Sequence, residues 1–346
     1  VGVAPTPGSV LLVAVTLVAL VSVVLPSQER LPPLTIRGGI GVAQQGIEFP
    51  LPGVTIGADT LRFAPNTPLY LLVGAAWRSL GATAAVTLPG SLDAVEERGV
   101  SDYTNLQLQF YRRRLAIDLG YQRHLGLYLA NADEVSPSPP ETRLSDLRLE
   151  TISTTVMWTA SPTLNLTALY RLNQLHKGST IALIWMAAAS RVAVDAPTGP
   201  GATISGLDGW VWSEPMSIES ISAVVGPGIA GVATIQSFFL APLVSFGLGL
   251  QRTRYDAATG SGVEANIVPQ LSVRLSAGYN APAWFTAIII VVDARNVQTP
   301  FLEATQTSSR VEIVLGRRYR MSRWQGTRGL DVRPSSSPSV SRPSGR

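Results

Sequence analysis

The sequence predicts an all-β chain, an antiparallel transmembrane β-barrel of about 12 strands, with 10 and 14 as the outer limits. Three observations predict it. Charged residues are only 14% of the 346, against about 25% in an ordinary soluble domain, too few to cover a water-facing surface. Apolar residues reach 46% and mean hydropathy is +0.23, yet there is no series of apolar runs of about 20 residues, which excludes a helical transporter. Between about residues 34 and 319, apolar and polar side chains alternate with period two, in segments parted by Gly, Pro, Asn, Asp and Ser clusters.

Residues 1–30 are read as a signal peptide or N-terminal apolar segment. Residues 10–25 are apolar except for Thr16 and Ser22. As a helix they would reach about 24 Å, short for a bilayer core of about 30 Å. The run lacks period two, so it is expected to be removed on export or to stay outside the barrel. No Lys or Arg precedes it and Pro26–Arg30 lacks a small-x-small cleavage pattern, so a permanent anchor and a buried core helix remain as other readings.

Residues 31–320 are read as the barrel. Leu106, Leu108 and Phe110 alternate with Asn105, Gln107, Gln109 and Tyr111. Leu115, Ile117, Leu119, Tyr121, Arg123, Leu125 and Leu127 alternate with Ala116, Asp118, Gly120, Gln122, His124, Gly126 and Tyr128. Further on, Leu164, Leu166, Ala168, Tyr170 and Leu172 alternate with Asn165, Thr167 and Arg171. Ile267, Leu271, Val273 and Leu275 alternate with Asn266, Gln270, Ser272 and Arg274, and Val311, Ile313 and Leu315 with Arg310, Glu312 and Gly316. A soluble sandwich alternates too, but three features favour a barrel. The polar face is mostly uncharged, several segments exceed the usual five or six residues of soluble strands, and aromatics recur near segment ends. Those aromatics are Tyr103, Tyr128, Trp158, Tyr170, Tyr279, Trp284 and Tyr319.

Short turns are expected at Ser79–Gly81, Arg112–Arg114, Ala160–Pro162, Gly226–Gly228 and Asn280–Pro282. Longer connections are expected near 51–68, 89–102, 130–144, 192–217, 253–263 and 296–305. With both chain ends in the periplasm, short and long must alternate. Twelve strands satisfy this if 163–190 is one long strand. Residues 321–346 form a basic Ser/Pro/Arg tail with too little apolar surface to order. It carries five arginines against Asp331, and the preceding 320 residues balance 22 basic with 22 acidic side chains. The pI near 9.6 therefore implies no nucleic-acid-binding face.

Cys 0 excludes thiolate metal sites, disulfides and cysteine nucleophiles, and His 2 argues against an imidazole metal centre. No cofactor or metal site is expected. Gly226–Gly231 fits G-x-G-x-x-G, but strand-like residues follow it where a dinucleotide site needs a helix. A glycine-rich turn is the preferred reading. Asp118 and His124 share a face but stand six residues apart, roughly 20 Å along a strand, so they cannot form a hydrolytic pair directly. No catalytic residue is assigned.

Arg62-Phe63-Ala64-Pro65-Asn66-Thr67-Pro68, LLVGAAWRSLG (71–81), the segment 101–129, RLSDLRLETISTTVMW (143–158), YRLNQLHKGSTIAL (170–183) and VEIVLGRRY (311–319) stand in a distinctive order. Together they resemble a family of bacterial outer-membrane β-barrels catalogued only as a domain of unknown function, family forty-four twenty-one. The resemblance covers most of 34–319 and implies location and architecture, with no activity to carry over. The Ala/Val-rich strands and the arginine-rich tail depart from the family pattern.

Alternation assigns Asp118, Gln122, His124, Arg148, Glu150, Arg171, Arg274, Arg310 and Glu312 to the lumen. In a narrow barrel such charges pair and close the interior; in an open one they line a pore and set ion preference. The leading expectation is a non-enzymatic outer-membrane barrel, structural or a small-solute channel. Its partners would be outer-membrane lipid and the outer-membrane assembly machinery. The alternatives are a membrane-embedded lipid-acting enzyme and a membrane-anchored soluble β-rich binding protein. Detergent extraction with heat-modifiable gel mobility, a lipid-hydrolysis assay and planar-bilayer conductance separate these readings.

Overall fold

The computed structural model describes residues 34–319 apart from 51–59, 67–68, 89–98, 132–142, 171–177, 198–214, 258–259 and 300–301. Segments 1–30 and 321–346 lie outside the described residues. The strands are β1 (Leu34–Pro50), β2 (Thr60–Ala64), β3 (Leu69–Trp77), β4 (Leu80–Thr87), β5 (Asp102–Tyr111), β6 (Leu115–Leu129) and β7 (Arg143–Trp158). Then follow a short helix, α1 (Leu166–Tyr170), and β8 (Thr180–Ala196), β9 (Met216–Ile235), β10 (Phe238–Ala257), β11 (Gly260–Asn280), β12 (Trp284–Thr299) and β13 (Leu302–Tyr319). All strand pairs are antiparallel, and β13 closes on β1 from Leu34↔Tyr319 to Glu48↔Thr305. Closure matters because an unpaired amide in hydrocarbon costs several kcal/mol.

The ring has twelve positions because β2 and β3 share one. β1 pairs with β3 over Thr35–Val42 and with β2 over Ile47–Pro50. On the far side β3 meets β4, whereas β2 meets β6 at Phe63↔Leu129 and Ala64↔Tyr128. The β4–β5 hairpin is thus a wedge in the wall: the ring holds twelve strands at its level, counting the hairpin, and ten above it.

Several boundaries differ from expectation. Residues 163–190 are not one strand, since β7 ends at Trp158, α1 intervenes and β8 begins at Thr180. Gly226–Gly231 lies inside β9, and the turn falls at Gln236–Ser237, with Gln236 at φ 56°. The regions 253–263 and 296–305 are mainly strand, continuing β10 to Ala257 and β12 to Thr299. Hydrogen-bonded hairpins that project past the membrane look like loops in sequence, because their outer face is polar.

The outer face carries the apolar side chains. On β10, Phe238, Leu240, Pro242, Val244, Phe246, Leu248 and Leu250 are all exposed. Twelve residue steps at about 3.3 Å and a tilt of about 45° give a belt roughly 28 Å tall, the thickness of a hydrocarbon core. Ile181 at 78% and Leu250 at 70% exposure belong in lipid. Trp77, Trp158, Trp185, Trp284 and Tyr319 are exposed at or near the end where β1 begins and β13 stops. Phe238, Tyr279 and Trp284 stack there with ring centroids 5.3 and 4.9 Å apart. Tyr103 and Tyr170 do not join that girdle; both are buried inside. No helix among the described residues is long and apolar enough to cross a membrane, and this chain crosses with strands. It is an outer-membrane β-barrel, and Leu34 and Tyr319 stand at its short-turn, periplasmic mouth.

Candidate functional site

The barrel interior divides into levels. At the periplasmic mouth, the β7–β8 connection folds inward as α1. Asn165 caps it, its Oδ1 accepting from the Thr167 amide at 3.1 Å. The Leu166 amide donates to the Arg113 carbonyl at 3.0 Å, which ties the segment to the β5–β6 turn. Leu164, Leu166, Leu169 and Tyr170 are buried and belong to one core with Met157, Ile184, Met186, Leu243, Phe285 and Val314 of the wall. Residues 164–170 of this connection form a plug. Gly316 makes room for it indirectly: a Cβ there would strike the Phe285 ring, so the glycine lets that ring lie across β13.

Above the plug the interior becomes polar. Two carboxylates organise it. Glu312 accepts from the Tyr70 hydroxyl at 2.9 Å and pairs with Arg310 at 3.0 Å. Asp118 accepts from the Tyr111 hydroxyl at 2.6 Å and from Arg274 at 3.1 Å. Arg274 stands on β11 and Asp118 on β6, five positions apart in the ring of twelve, so this pair is a tie across the lumen. Gln107 of β5 accepts from Arg310 of β13 when its amide is oriented to satisfy both ends. Around these ties is a space of about 130 Å³ lined by amides and hydroxyls, including Gln109, Gln122, Thr151, Ser153, Ser190 and Ser276. A polar space of this size holds several waters. Among the described residues, the hydroxyl of Tyr170 and the Nδ1 of His124 have no hydrogen-bond partner.

The sequence matches the family model described as Domain of unknown function (DUF4421) over residues 53–319. The chain belongs to this family. No curated protein matches it in sequence. Among solved structures it is similar to the outer membrane protease OmpT from Escherichia coli, at 10% identity, covering 85% of this chain and 99% of that one, with a TM-score of 0.39. It is also similar to the transport unit of the autotransporter AIDA-I from Escherichia coli, at 9% identity, covering 92% and 100%, with a TM-score of 0.32. A third is the P. putida toluene transporter TodX, at 7% identity, covering 84% and 91%, with a TM-score of 0.27. The fold assignment rests on the strand pairing of this chain itself.

In this member of the family, the motif beginning at Arg62 sits where the wall splits. The Asn66 amide donates to Ser101 Oγ at 2.8 Å, and Ser101 Oγ donates to the Gly126 carbonyl at 2.6 Å. Asn66 Nδ2 reaches the Gly99 carbonyl at 2.8 Å. Gly126 has φ +79°, and a Cβ there would strike the Val100 carbonyl. A β-bulge at Gly126 breaks the β6–β7 register between Leu125 and Leu127. The result lets β6 leave β5 and take up β2. Thr67 and Pro68 lie outside the described residues.

Of the residues read as luminal, Asp118, Gln122, Arg274, Arg310 and Glu312 line this one space. His124 is inward and buried, its ring 4.8 Å from that of Tyr103. Arg171 lies outside the described residues. Arg148 and Glu150 are corrected: both point outward, alternating with buried Leu147, Leu149 and Thr151, and they pair with each other. Leu127 is corrected as well, since the bulge turns it inward. Sequence reading missed the plug, Tyr70, Tyr111 and Arg37, which lines the space and donates to Thr83 Oγ1 at 2.6 Å. For Leu164–Tyr170 a signal existed: Asn165 as a cap with Leu166 and Leu169 at helical spacing. Over so few residues period two fits as well.

Proposed function

We propose that this protein is a non-enzymatic outer-membrane barrel that acts as a small-solute channel, shut at its periplasmic mouth by the α1 plug. The observation that carries this reading is the packing of Leu164, Leu166 and Leu169 inside the wall beneath a hydrated polar chamber. A purely structural barrel has no need of a separate luminal segment under such a chamber. The uncharged amides and hydroxyls favour small polar solutes over ions, because Asp118 and Glu312 are already neutralised by Arg274 and Arg310. The hydrolytic reading is disfavoured on geometry: Asp118 is held by Tyr111 and Arg274, and His124 rests on Tyr103. Purified protein is expected to release no fatty acid from phospholipid vesicles.

Outer-membrane lipid surrounds the belt, and the outer-membrane assembly machinery would insert the closed ring. Residues 1–30 serve export and 321–346 form a dispensable tail, a reading supported by their composition. Truncation after Met321 should leave assembly intact, while truncation after Glu312 removes part of the closing strand and should abolish it.

Planar-bilayer conductance tests the gate. The natural chain should be silent, and Leu166→Asp combined with Leu169→Asp should conduct, because two buried carboxylates cannot remain in an apolar core. Heat-modifiable mobility confirms that the variant is still a barrel. Silence from a folded double variant would make the protein a structural barrel.

A further inference from the structure

The outward charges form a pattern that the channel reading does not use. On β10 the lipid-facing series ends at Leu250, and the next two outward residues are Arg252 and Arg254, both exposed. The end away from Leu34, Tyr319 and the short turns is the extracellular one, so these guanidinium groups sit at the outer-leaflet edge of the belt. Strand register places Arg252 opposite Ile221 and Ala265, and Arg254 opposite Glu219 and Val263. In the same row, Arg191 of β8 stands opposite Ile221. Glu219 is engaged by Arg191, and Glu150 by Arg148. Arg252 and Arg254 form no ion pair among the described residues. Two residues apart on one face, they stand about 7 Å from each other, a spacing that one phosphate group can bridge. Immediately below lie Leu250, Leu248 and Phe246, flanked by Val225 and Ile267, all well exposed.

We propose that Arg252 and Arg254 bind the phosphate of a phosphorylated lipid of the outer leaflet, whose acyl chains lie on the β9–β11 belt beneath. Two features select a lipid over a free anion. The cations border the apolar belt directly, so headgroup and chains are held at once. The site also faces outward, where a lipid arrives by lateral diffusion. Arginine suits the role because its planar fork donates two hydrogen bonds to one phosphate and is always charged. Asp256, the next outward residue on β10, would set an upper limit to the headgroup by repelling a phosphate placed higher.

The test uses the full chain, refolded in detergent and examined by native mass spectrometry. The probes are diphosphorylated lipid A, the same lipid stripped of its phosphates, and inorganic phosphate as competitor. The natural chain should retain the phosphorylated lipid and not the stripped one. Arg252→Gln with Arg254→Gln should weaken retention about thirty-fold. Arg317→Gln, at the periplasmic edge, should leave it unchanged, and heat-modifiable mobility should show all three chains folded. Equal retention by the double variant overturns the proposal, as does equal retention of the stripped lipid. Full competition by millimolar inorganic phosphate overturns the lipid assignment in favour of a free-anion site.

Discussion

The two halves of β7 obey opposite rules. From Ile152 to Trp158 the outward residues are Ile152, Thr154, Val156 and Trp158, mostly apolar or aromatic, and inward Ser153 and Thr155 line the polar chamber. From Leu147 to Thr151 the outward residues are Arg148 and Glu150, while Leu147 and Leu149 are buried inside. One strand crosses from lipid into water. Below the boundary the medium outside is hydrocarbon, so polar groups turn inward. Above it the medium is aqueous and the ordinary soluble rule returns. Leu61, Phe63, Leu127 and Leu129, also buried, follow the upper rule, at the level where ten strands close the ring.

The inner tie and an outer pair sharpen that contrast most. Arg274–Asp118 lies inside, with side chains 16% and 20% exposed; in the outward Arg148–Glu150 pair they are 42% and 14% exposed, so the cation left behind when Glu150 is lost is the wetter one. Asp118→Ala strands a desolvated guanidinium and frees the Tyr111 hydroxyl, a loss of about 3 kcal/mol. Glu150→Ala should cost under about 1 kcal/mol, because water and salt screen what remains. Reversible urea unfolding in lipid vesicles measures both. Equal losses would mean that the upper outer face is as dry as the lumen, which would break the comparison.

A second pair of substitutions locates the boundary itself. Ile229 lies midway along the outward face of β9 at 57% exposure, and Ser217 lies on the same face beyond Ile221 and Glu219. Ile229→Arg should destabilise by about 2–4 kcal/mol, and Ser217→Arg by about 0–1 kcal/mol. In a water-soluble barrel the two exposed sites would respond alike. A tryptophan placed at each position and a lipid-confined quencher give a second readout, with quenching expected at 229 and not at 217.

The single-rule view of alternation accounts for what was legible beforehand. Within the belt, period two identified the walls, the closing strand at Val311–Leu315 and four lumen charges, because lipid outside and polar groups inside reinforce one signal. Arg148 and Glu150 were misplaced because the same pattern was carried past the membrane edge, where its meaning inverts. The connection near 253–263 reads as a loop for a related reason: past the belt neither face carries an apolar series, with Thr253 and Glu264 inward and Arg254 and Asp256 outward. The plug was invisible because Leu164, Leu166 and Tyr170 fit period two as readily as a helical turn. The split at β2–β6 depends on Gly126 taking a positive φ, which a glycine permits but does not announce.

The smallest effect compares two serines, one in the dry split and one in the wet chamber. Ser101 Oγ links the Asn66 amide to the Gly126 carbonyl and is 1% exposed. Ser190 Oγ lies 2.9 Å from Ser222 Oγ and borders the luminal space. Ser101→Ala leaves a buried backbone N–H and a carbonyl unmatched, and should cost about 1–3 kcal/mol. Ser190→Ala removes a hydroxyl that borders the luminal space, where water can take its place, and should cost about 0.5 kcal/mol. Hydrogen exchange adds a local test, since the Asn66 amide should lose protection in Ser101→Ala while the β8 amides keep theirs in Ser190→Ala. If Asn66 stays protected, the split is held by strand pairing alone, and the Asn66–Ser101–Gly126 chain is a consequence of the divided wall instead of its cause.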